Sequence, residues 1–320
     1  MRDARSLARI RALVLPPAWR DVHIAAGSAA AIQAWGFDAR GRKQYRYHDR
    51  AVQRRELRKY YRVRQLAREL PRVRRRLRDA AGSRTLTRDV VAATVLRLIS
   101  ESFCRVGGER YVRENGTFGV TTLRKKHVDV RRDCIVLEYV GKGRKRQRQV
   151  IVNRELARLV ARLVPTPGSR LFRYRDAEGA WRDLTARDVN EFLRDRIGGG
   201  YSAKDFRTWG GTLRAATVLA ELGPPGSDTE AKRNVALAMR LVSTELGNTA
   251  AICRASYVHP MVIARYVDDG ETITLSRTHR RGVDNGPAHA PEERALISFL
   301  DRHFPERRAR QREHTRQRAA

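Results

Sequence analysis

The sequence predicts an α+β chain, with a small N-terminal α+β domain followed by a larger, mainly helical domain that carries a short antiparallel sheet. Three observations predict it. Near the N-terminus, alternating segments at Trp35-Gly36-Phe37-Asp38 and Arg40-Gly41-Arg42-Lys43-Gln44-Tyr45-Arg46-Tyr47 give way to a helical pattern. In the middle, Val128-Asp129-Val130, the run from Cys134 to Val140 and Gln149-Val150-Ile151-Val152 read as strands. Nearly everything else that is apolar recurs at helical spacing.

Taken in order, the first strands have Gly36 and Gly41 as turn markers. From Ala51 to Leu70 a helix is expected, with Leu57, Tyr60, Tyr61 and Leu66 on one face. Pro71 should end it, because proline lacks the N–H that a helix interior needs. The basic run at residues 72–78 is then expected as a solvated basic helix and linker, and Ala81-Gly82-Ser83 as a hinge. The expected domains are therefore 1–80, 81–305 and a basic tail at 306–320. Thr87 is placed to cap a helix whose first turn holds Asp89 and whose body is the apolar stretch Val90 to Ile99. Gly107-Gly108 stops it and leaves Arg105 near its end. Gly141-Lys142-Gly143 falls between the last two strands as a hairpin turn requires, so Lys142 rides on a projecting loop. Asn153 should cap a helix with Leu156, Leu159, Val160 and Leu163 at core spacing, stopped by Pro165-Thr166-Pro167-Gly168. Thr185-Ala186-Arg187-Asp188 and Ser202-Ala203-Lys204-Asp205 resemble capping boxes with Asp in place of Glu. A helix follows from Asp228 to Leu246, then a short one ending at Tyr257, then one that Pro260 starts and that runs through Val267. Beyond Gly270 the composition turns polar.

The 320 residues suffice for a sizeable core. The formal net charge of +32, from 67 Lys+Arg against 35 Asp+Glu, exceeds what solubility needs and makes a nucleic acid the expected partner. No apolar run approaches the length that spans a bilayer, and Met1-Arg2-Asp3-Ala4-Arg5 does not open a secretory leader. Cys104, Cys134 and Cys253 are far apart and odd in number, which fits neither a disulfide framework nor a metal knuckle. A reducing, cytoplasmic and nucleoid-associated location is expected. Arginine is the dominant cation, and the lysines are confined to Lys43, Lys59, Lys125, Lys126, Lys142, Lys145, Lys204 and Lys232. Lysine can surrender a proton where arginine cannot, so Lys142 and Lys204 are candidates for proton transfer, with chance placement as the alternative.

Taken singly, each polar residue of interest has an ordinary structural explanation. Arg105 can complement a helix dipole, Arg207 can be a surface arginine, Lys142 a solvated turn residue, Asn248 a helix stop after Gly247, and Tyr257 a packed phenol. In the N-terminal part, Trp35 is expected to pack. Arg40, Arg42, Gln44, Tyr45 and Tyr47 alternate so that several polar side chains share one strand face, suited to phosphate and base-edge contacts in a DNA groove.

Together, Phe103-Cys104-Arg105-Val106-Gly107-Gly108-Glu109-Arg110-Tyr111, Tyr139-Val140-Gly141-Lys142-Gly143, Lys204-Asp205-Phe206-Arg207-Thr208-Trp209-Gly210 and Leu246-Gly247-Asn248-Thr249 through Ser256-Tyr257 resemble the small, poxvirus-like and bacterial type IB DNA topoisomerases in order and spacing. The resemblance covers almost the whole chain and extends to the strand from Gly41 to Tyr47, which looks like that family's DNA-clamping strand. It implies a two-domain clamp on double-stranded DNA that relaxes supercoils as a monomer, without nucleotide, metal or other cofactor. Tyr257 would attack a DNA phosphate and form a 3′-phosphotyrosyl bond, Arg105 and Arg207 would hold the non-bridging oxygens, and Lys142 would protonate the departing 5′-oxygen, with Lys204 assisting. Arg110 and Tyr111 would contact the DNA backbone. Asn248 stands where the poxviral enzymes carry histidine; an amide can donate a hydrogen bond there but cannot titrate near neutral pH. A tyrosine recombinase is the nearest alternative, but its third element typically reads His-x-x-Arg where this chain has Lys204-x-x-Arg207. A non-catalytic architectural DNA-binding protein is the alternative of another class, since the charge alone would suffice for it.

Overall fold

A computed structural model describes residues 3–275 and 286–304, so the expected tail at 306–320 lies outside the described residues. The chain is α+β and divides into two compact units, residues 1–61 and 62–320. In the first, helix α1 (Ala4–Ala12) is capped by Asp3, whose carboxylate accepts from Arg5 N and Ser6 N. Strands β1 (Arg20–Ile24), β2 (Ile32–Phe37) and β3 (Lys43–Tyr47) form an antiparallel sheet in that order. The sequence expectation did not include α1 or β1; in β1 only Val22 and Ile24 alternate, too short a run to mark a strand, and all its residues are exposed. Gly36 lies inside β2 and does not mark a turn: a Cβ there would come 3.1 Å from the Arg20 carbonyl oxygen of β1. Trp35 packs as expected, stacked on His23 with ring centroids 3.9 Å apart and with Lys43 Nζ 3.5 Å over its ring.

Helix α2 (Asp49–Ala81) does not stop at Pro71. Proline at this position leaves the Ala67 carbonyl without its helical donor, and His289 Nε2 donates to that oxygen at 2.7 Å. The run 72–78 is correspondingly not a solvated linker, because Val73 and Leu77 enter the core while Arg74 and Arg78 pair with Glu293 and Glu155. Tyr60 and Leu66 are buried, but Leu57 is 48% exposed and does not join their face. The first unit thus ends well before the boundary expected near residue 80: from Val63 onward α2 supplies Leu66, Leu70, Val73 and Leu77 to the core of the second unit.

That core is built around α3 (Arg88–Ser102), which Thr87 caps as expected. The helix is apolar nearly all round, and a helix of that kind must be covered on all sides. Helix α4 (Glu109–Asn115) follows, then strands β4 (Val128–Val130), β5 (Cys134–Val140) and β6 (Arg146–Val152), an antiparallel sheet in that order. The strand β6 begins earlier than its apolar part, because its pairing with β5 extends to Val140 opposite Arg146. Helix α5 (Arg154–Ala161), capped by Asn153 with Oδ1 accepting from Leu156 N at 2.9 Å, leads to a small hairpin of β7 (Arg173–Arg175) and β8 (Trp181–Asp183). Helices α6 (Ala186–Phe192) and α7 (Ala203–Leu222) both open on the Asp-containing capping boxes read from the sequence, with Thr185 N donating to Asp188 at 2.9 Å and Ser202 N to Asp205 at 2.8 Å. The strands β6 and β7 and the helices α5, α6 and α7 pack against α3. The chain closes with α8 (Asp228–Leu246), α9 (Ala250–Ser256), α10 (Pro260–Asp269) and α11 (Pro291–His303). The polar stretch before it concealed α11, whose Leu296, Phe299 and Leu300 are buried at helical spacing.

Candidate active site

Helix α7 places Lys204 and Arg207 one turn apart, hence on the same side. Its first turn is held by Asp205, a buried carboxylate that accepts from Ser202 and, at 3.0 and 2.8 Å, from the Arg62 guanidinium. Arg207 is only 3% exposed, a costly place for a cation unless its donors are satisfied. Backbone carbonyls meet that need: Nη1 donates to Phe103 O and Nη2 to Leu246 O. Phe103, the residue that ends α3, sits at φ +51°, a left-handed conformation that costs a non-glycine residue roughly 1–2 kcal/mol. Its ring occupies the space that a Cβ on Gly210 of α7 would take. The turn re-aims the chain so that Arg105, two residues on, reaches the same end of α8.

Helix α8 ends at Gly247, in the left-handed conformation at φ +58°, with Asn248 N returning to Ser243 O at 3.0 Å. Such an end leaves carbonyls available, and the helix dipole makes them an electronegative cluster. Arg105 donates to Leu246 O at 3.4 Å, to Gly247 O at 3.2 Å and to Asn248 Oδ1. The two guanidiniums therefore share the Leu246 carbonyl. Burial first, and the neighbouring Arg207 charge second, lower the pKa of Arg105, yet a guanidinium remains charged. Because Arg105 can only donate, the Asn248 amide must present its oxygen to it. Among the described residues Asn248 Nδ2 then has no hydrogen-bonded acceptor and only the weakly accepting Cys253 thiol beside it. Arg207 Nε is likewise a buried donor without a hydrogen-bond partner among the described residues.

Thr249 caps α9, and Tyr257 ends it, half-buried. The Tyr257 ring lies 5.0 Å from Arg207 Cζ and 5.9 Å from Lys204 Nζ. Its backbone is tied to α7 from both sides: Thr212 Oγ1 lies 3.3 Å from Tyr257 O and accepts from His259 N at 3.1 Å. A Cβ on Gly211 would come 2.8 Å from Tyr257 O, so the approach of the two segments needs a glycine there. The fold thus gathers Arg105, Lys204, Arg207, Asn248 and Tyr257. Lys142 is exposed in the turn between β5 and β6 and makes no hydrogen bond or ion pair with any described residue. Lysine 145, three residues later, is the one that touches the cluster, with Nζ donating to Asn248 O at 2.8 Å. Gly211, Thr212 and Lys145 escaped the sequence reading, because a glycine in a helix or a lysine in a basic run carries no signal until its neighbour across the fold is known.

On the first unit, Tyr45 and Tyr47 share one face of β3, both exposed, with rings stacked 5.8 Å apart. Arg40 is exposed beside them in sequence, whereas Arg42 and Gln44 are engaged with Asp38, at 2.6 Å in an ion pair and 2.9 Å in a hydrogen bond. Asp38 is held far below the usual carboxylate range, mainly by Arg42. On α4, Arg110 pairs with Glu114 at 2.7 Å, and Tyr111 is 56% exposed.

Residues 48–279 match the family model described as eukaryotic DNA topoisomerase I, catalytic core, and residues 1–38 match that of the bacterial DNA topoisomerase IB N-terminal domain. The DNA topoisomerase 1B of Acanthamoeba polyphaga mimivirus is 30% identical over 274 residues, 83% of this chain and 82% of the relative. That of Vaccinia virus (strain Copenhagen) is 24% identical over 247 residues, 76% of this chain and 75% of the relative. Among solved structures, the XerH site-specific recombinase bound to difH substrate aligns with 60% of this chain and 49% of its own, at 14% identity and a TM-score of 0.37; this chain spans about half of that one.

Proposed function

The chain belongs to the type IB DNA topoisomerase family and is an enzyme acting on DNA, and we propose that it relaxes supercoils by nicking, rotating and resealing one strand with neither ATP nor metal. The observation that carries this reading is the convergence of Arg105, Arg207 and Asn248 beside one phenol, with two buried donors, Arg207 Nε and Asn248 Nδ2, still lacking oxygen acceptors. Guanidiniums that can only donate, gathered beside a phenol, suit an anionic phosphoryl group.

In the proposed reaction Tyr257 releases its proton to solvent, its oxygen bonds to phosphorus, and the bond from phosphorus to the 5′-oxygen breaks. Charge gathers on the non-bridging oxygens, where guanidiniums already fixed by backbone carbonyls stabilise it without reorganising. Asn248 donates a neutral hydrogen bond. Lys142 gives a proton to the departing 5′-oxygen, with Lys204 assisting. The 3′-phosphotyrosyl bond conserves the energy of the phosphodiester, so resealing is the same path reversed and needs no nucleotide. Phosphate and groove contacts by Arg40, Tyr45, Tyr47, Arg110 and Tyr111 belong to the same proposal; Arg42 and Gln44 join them only by exchanging Asp38 for DNA. The enzyme is proposed to act as a monomer.

The test is relaxation of plasmid DNA in EDTA without nucleotide, followed by denaturant trapping. Wild-type protein is expected to relax the plasmid and remain covalently attached to a 3′-phosphate. Tyr257→Phe should abolish both while leaving DNA affinity nearly intact. A strict magnesium requirement, or an adduct surviving in Tyr257→Phe, overturns the reading, and DNA binding without any adduct would favour an architectural protein.

A further inference from the structure

The hairpin of β5 and β6 presents three side chains at alternate positions to the segment that carries Asn248. Lys145 Nζ donates to Asn248 O at 2.8 Å. Two residues on, Gln147 fills the space beside Gly247, whose Cβ, if present, would fall 2.1 Å from Gln147 Oε1. The same side chain lies against Gly141 at the base of the turn, where a Cβ would come 2.8 Å from Gln147 Cγ. Two residues further, Gln149 Nε2 donates to Glu245 O at 3.1 Å. Alternate residues of a strand share one face, so these contacts form one row along the end of α8. The turn itself is closed at its base by Gly141 N donating to Lys145 O at 2.8 Å. Asn248 is the joint of this arrangement: its backbone carbonyl is held by the hairpin, its side chain by Arg105, and the next residue caps the helix that ends at Tyr257.

We propose that Lys145, Gln147 and Gln149 latch the hairpin to the end of α8, and that Lys145 is a positioning residue fixing the Lys142 turn relative to Asn248 and Tyr257. The inference rests on the reading of Lys142 as the proton donor. It gives the two lysines of the turn separate tasks: Lys142 moves a proton, and Lys145, a compact ammonium on a flexible stem, reaches the Asn248 carbonyl. Gln147 needs the bare backbone of Gly247, so the glycine that ends α8 also admits the latch.

The experiment is single-turnover cleavage by the full-length protein on matched DNA substrates bearing oxygen or sulfur at the bridging 5′ position of the scissile phosphate. Sulfur leaves without protonation, so Lys142→Ala, slowed roughly 10²–10⁴-fold on oxygen, should be restored on sulfur. Lys145→Met and Gln149→Leu are expected to be slow on oxygen, restored on sulfur, and unchanged in DNA affinity. Their hydrogen exchange should rise at the amides of residues 141–147 and 248–250. Equal Lys145→Met defects on both substrates, with Lys142→Ala restored, would overturn the latch and leave the acid assignment standing. A defect confined to affinity would overturn it too, making Lys145 a phosphate contact. If sulfur fails to restore Lys142→Ala, the acid assignment falls, and hydrogen exchange then decides the latch: faster exchange in Lys145→Met upholds it and unchanged exchange refutes it.

Discussion

Gly211 shows how one missing side chain sets the position of Tyr257. Replacing glycine by alanine inside a helix ordinarily raises stability by about 0.8–1 kcal/mol. Here the new methyl would meet Tyr257 O at 2.8 Å and Tyr257 Cβ at 3.2 Å, a backbone that cannot swing away as a side-chain tip can. Gly211→Ala is therefore expected to lose the usual gain in melting temperature and to slow single-turnover cleavage; a higher melting temperature with unchanged cleavage would refute the close approach. Glu293 shows the opposite device, a charge held where burial opposes it. Burial raises its pKa most, but Arg74, at 2.9 and 2.7 Å, together with Ala290 N and Trp209 Nε1 outweighs that and holds the carboxyl below its ordinary value of 4.5. A group whose native pKa is depressed adds stability above its unfolded pKa and loses it as pH falls through the native value. The melting-temperature difference between wild type and Glu293→Gln should thus be full at neutral pH and shrink once the pH drops below about 4.5. A difference independent of pH would mean that the pair contributes by packing and neutral hydrogen bonds alone.

Among the elements, α2 carries the most instructive departure from local rules. Its proline would ordinarily cost about 3 kcal/mol in a helix interior, through a lost bond and a clash with the preceding turn. His289 removes part of that cost by donating to the Ala67 carbonyl that Pro71 leaves unpaired. His289→Ala is expected to cost about 1–3 kcal/mol, the penalty for an unsatisfied buried acceptor. Pro71→Ala restores the helical N–H, so it should reduce the effect of His289→Ala in the double variant; additive losses in denaturant melts would show that the histidine acts elsewhere. The caps at Thr87, Asn153, Thr185 and Ser202 were all legible, because a cap is a local bond between residues three apart. Helix α11 and strand β1 were not: the apolar positions Leu296, Phe299 and Leu300 are spaced for a helix but lie in a polar stretch, and Val22 and Ile24 alternate over too few residues to stand out.

For the whole molecule, the formal net charge of +32 governs how DNA is met before any chemistry begins. If ~6–10 phosphates are neutralised, affinity should fall on the order of 10³–10⁵ between roughly 50 and 200 mM salt, with counterion release as the cause. A nearly flat salt dependence in equilibrium binding would count against broad phosphate contact. The charge is not all available, because many arginines are committed within the protein: Arg62 to Asp205, Arg74 to Glu293, Arg105 and Arg207 to the end of α8. The salt slope therefore measures which cations remain for DNA, a number that composition alone overstates.

By itself the sequence determined the α+β class, most helix starts, the ordered set of Arg105, Lys142, Lys204, Arg207, Asn248 and Tyr257, and through them the family. Those features are local or are carried by residue order. Only the tertiary structure decided that Pro71 is passed without a break, that Val73 and Leu77 of the basic run enter the core, and that Arg42 and Gln44 are held by Asp38. Only it showed Gly211, Thr212 and Lys145 holding the segment from Asn248 to His259, each through a partner at least 45 positions away in the chain. A backbone carbonyl accepts from whatever donor the fold brings to it, and the chain's own order does not say which one that will be.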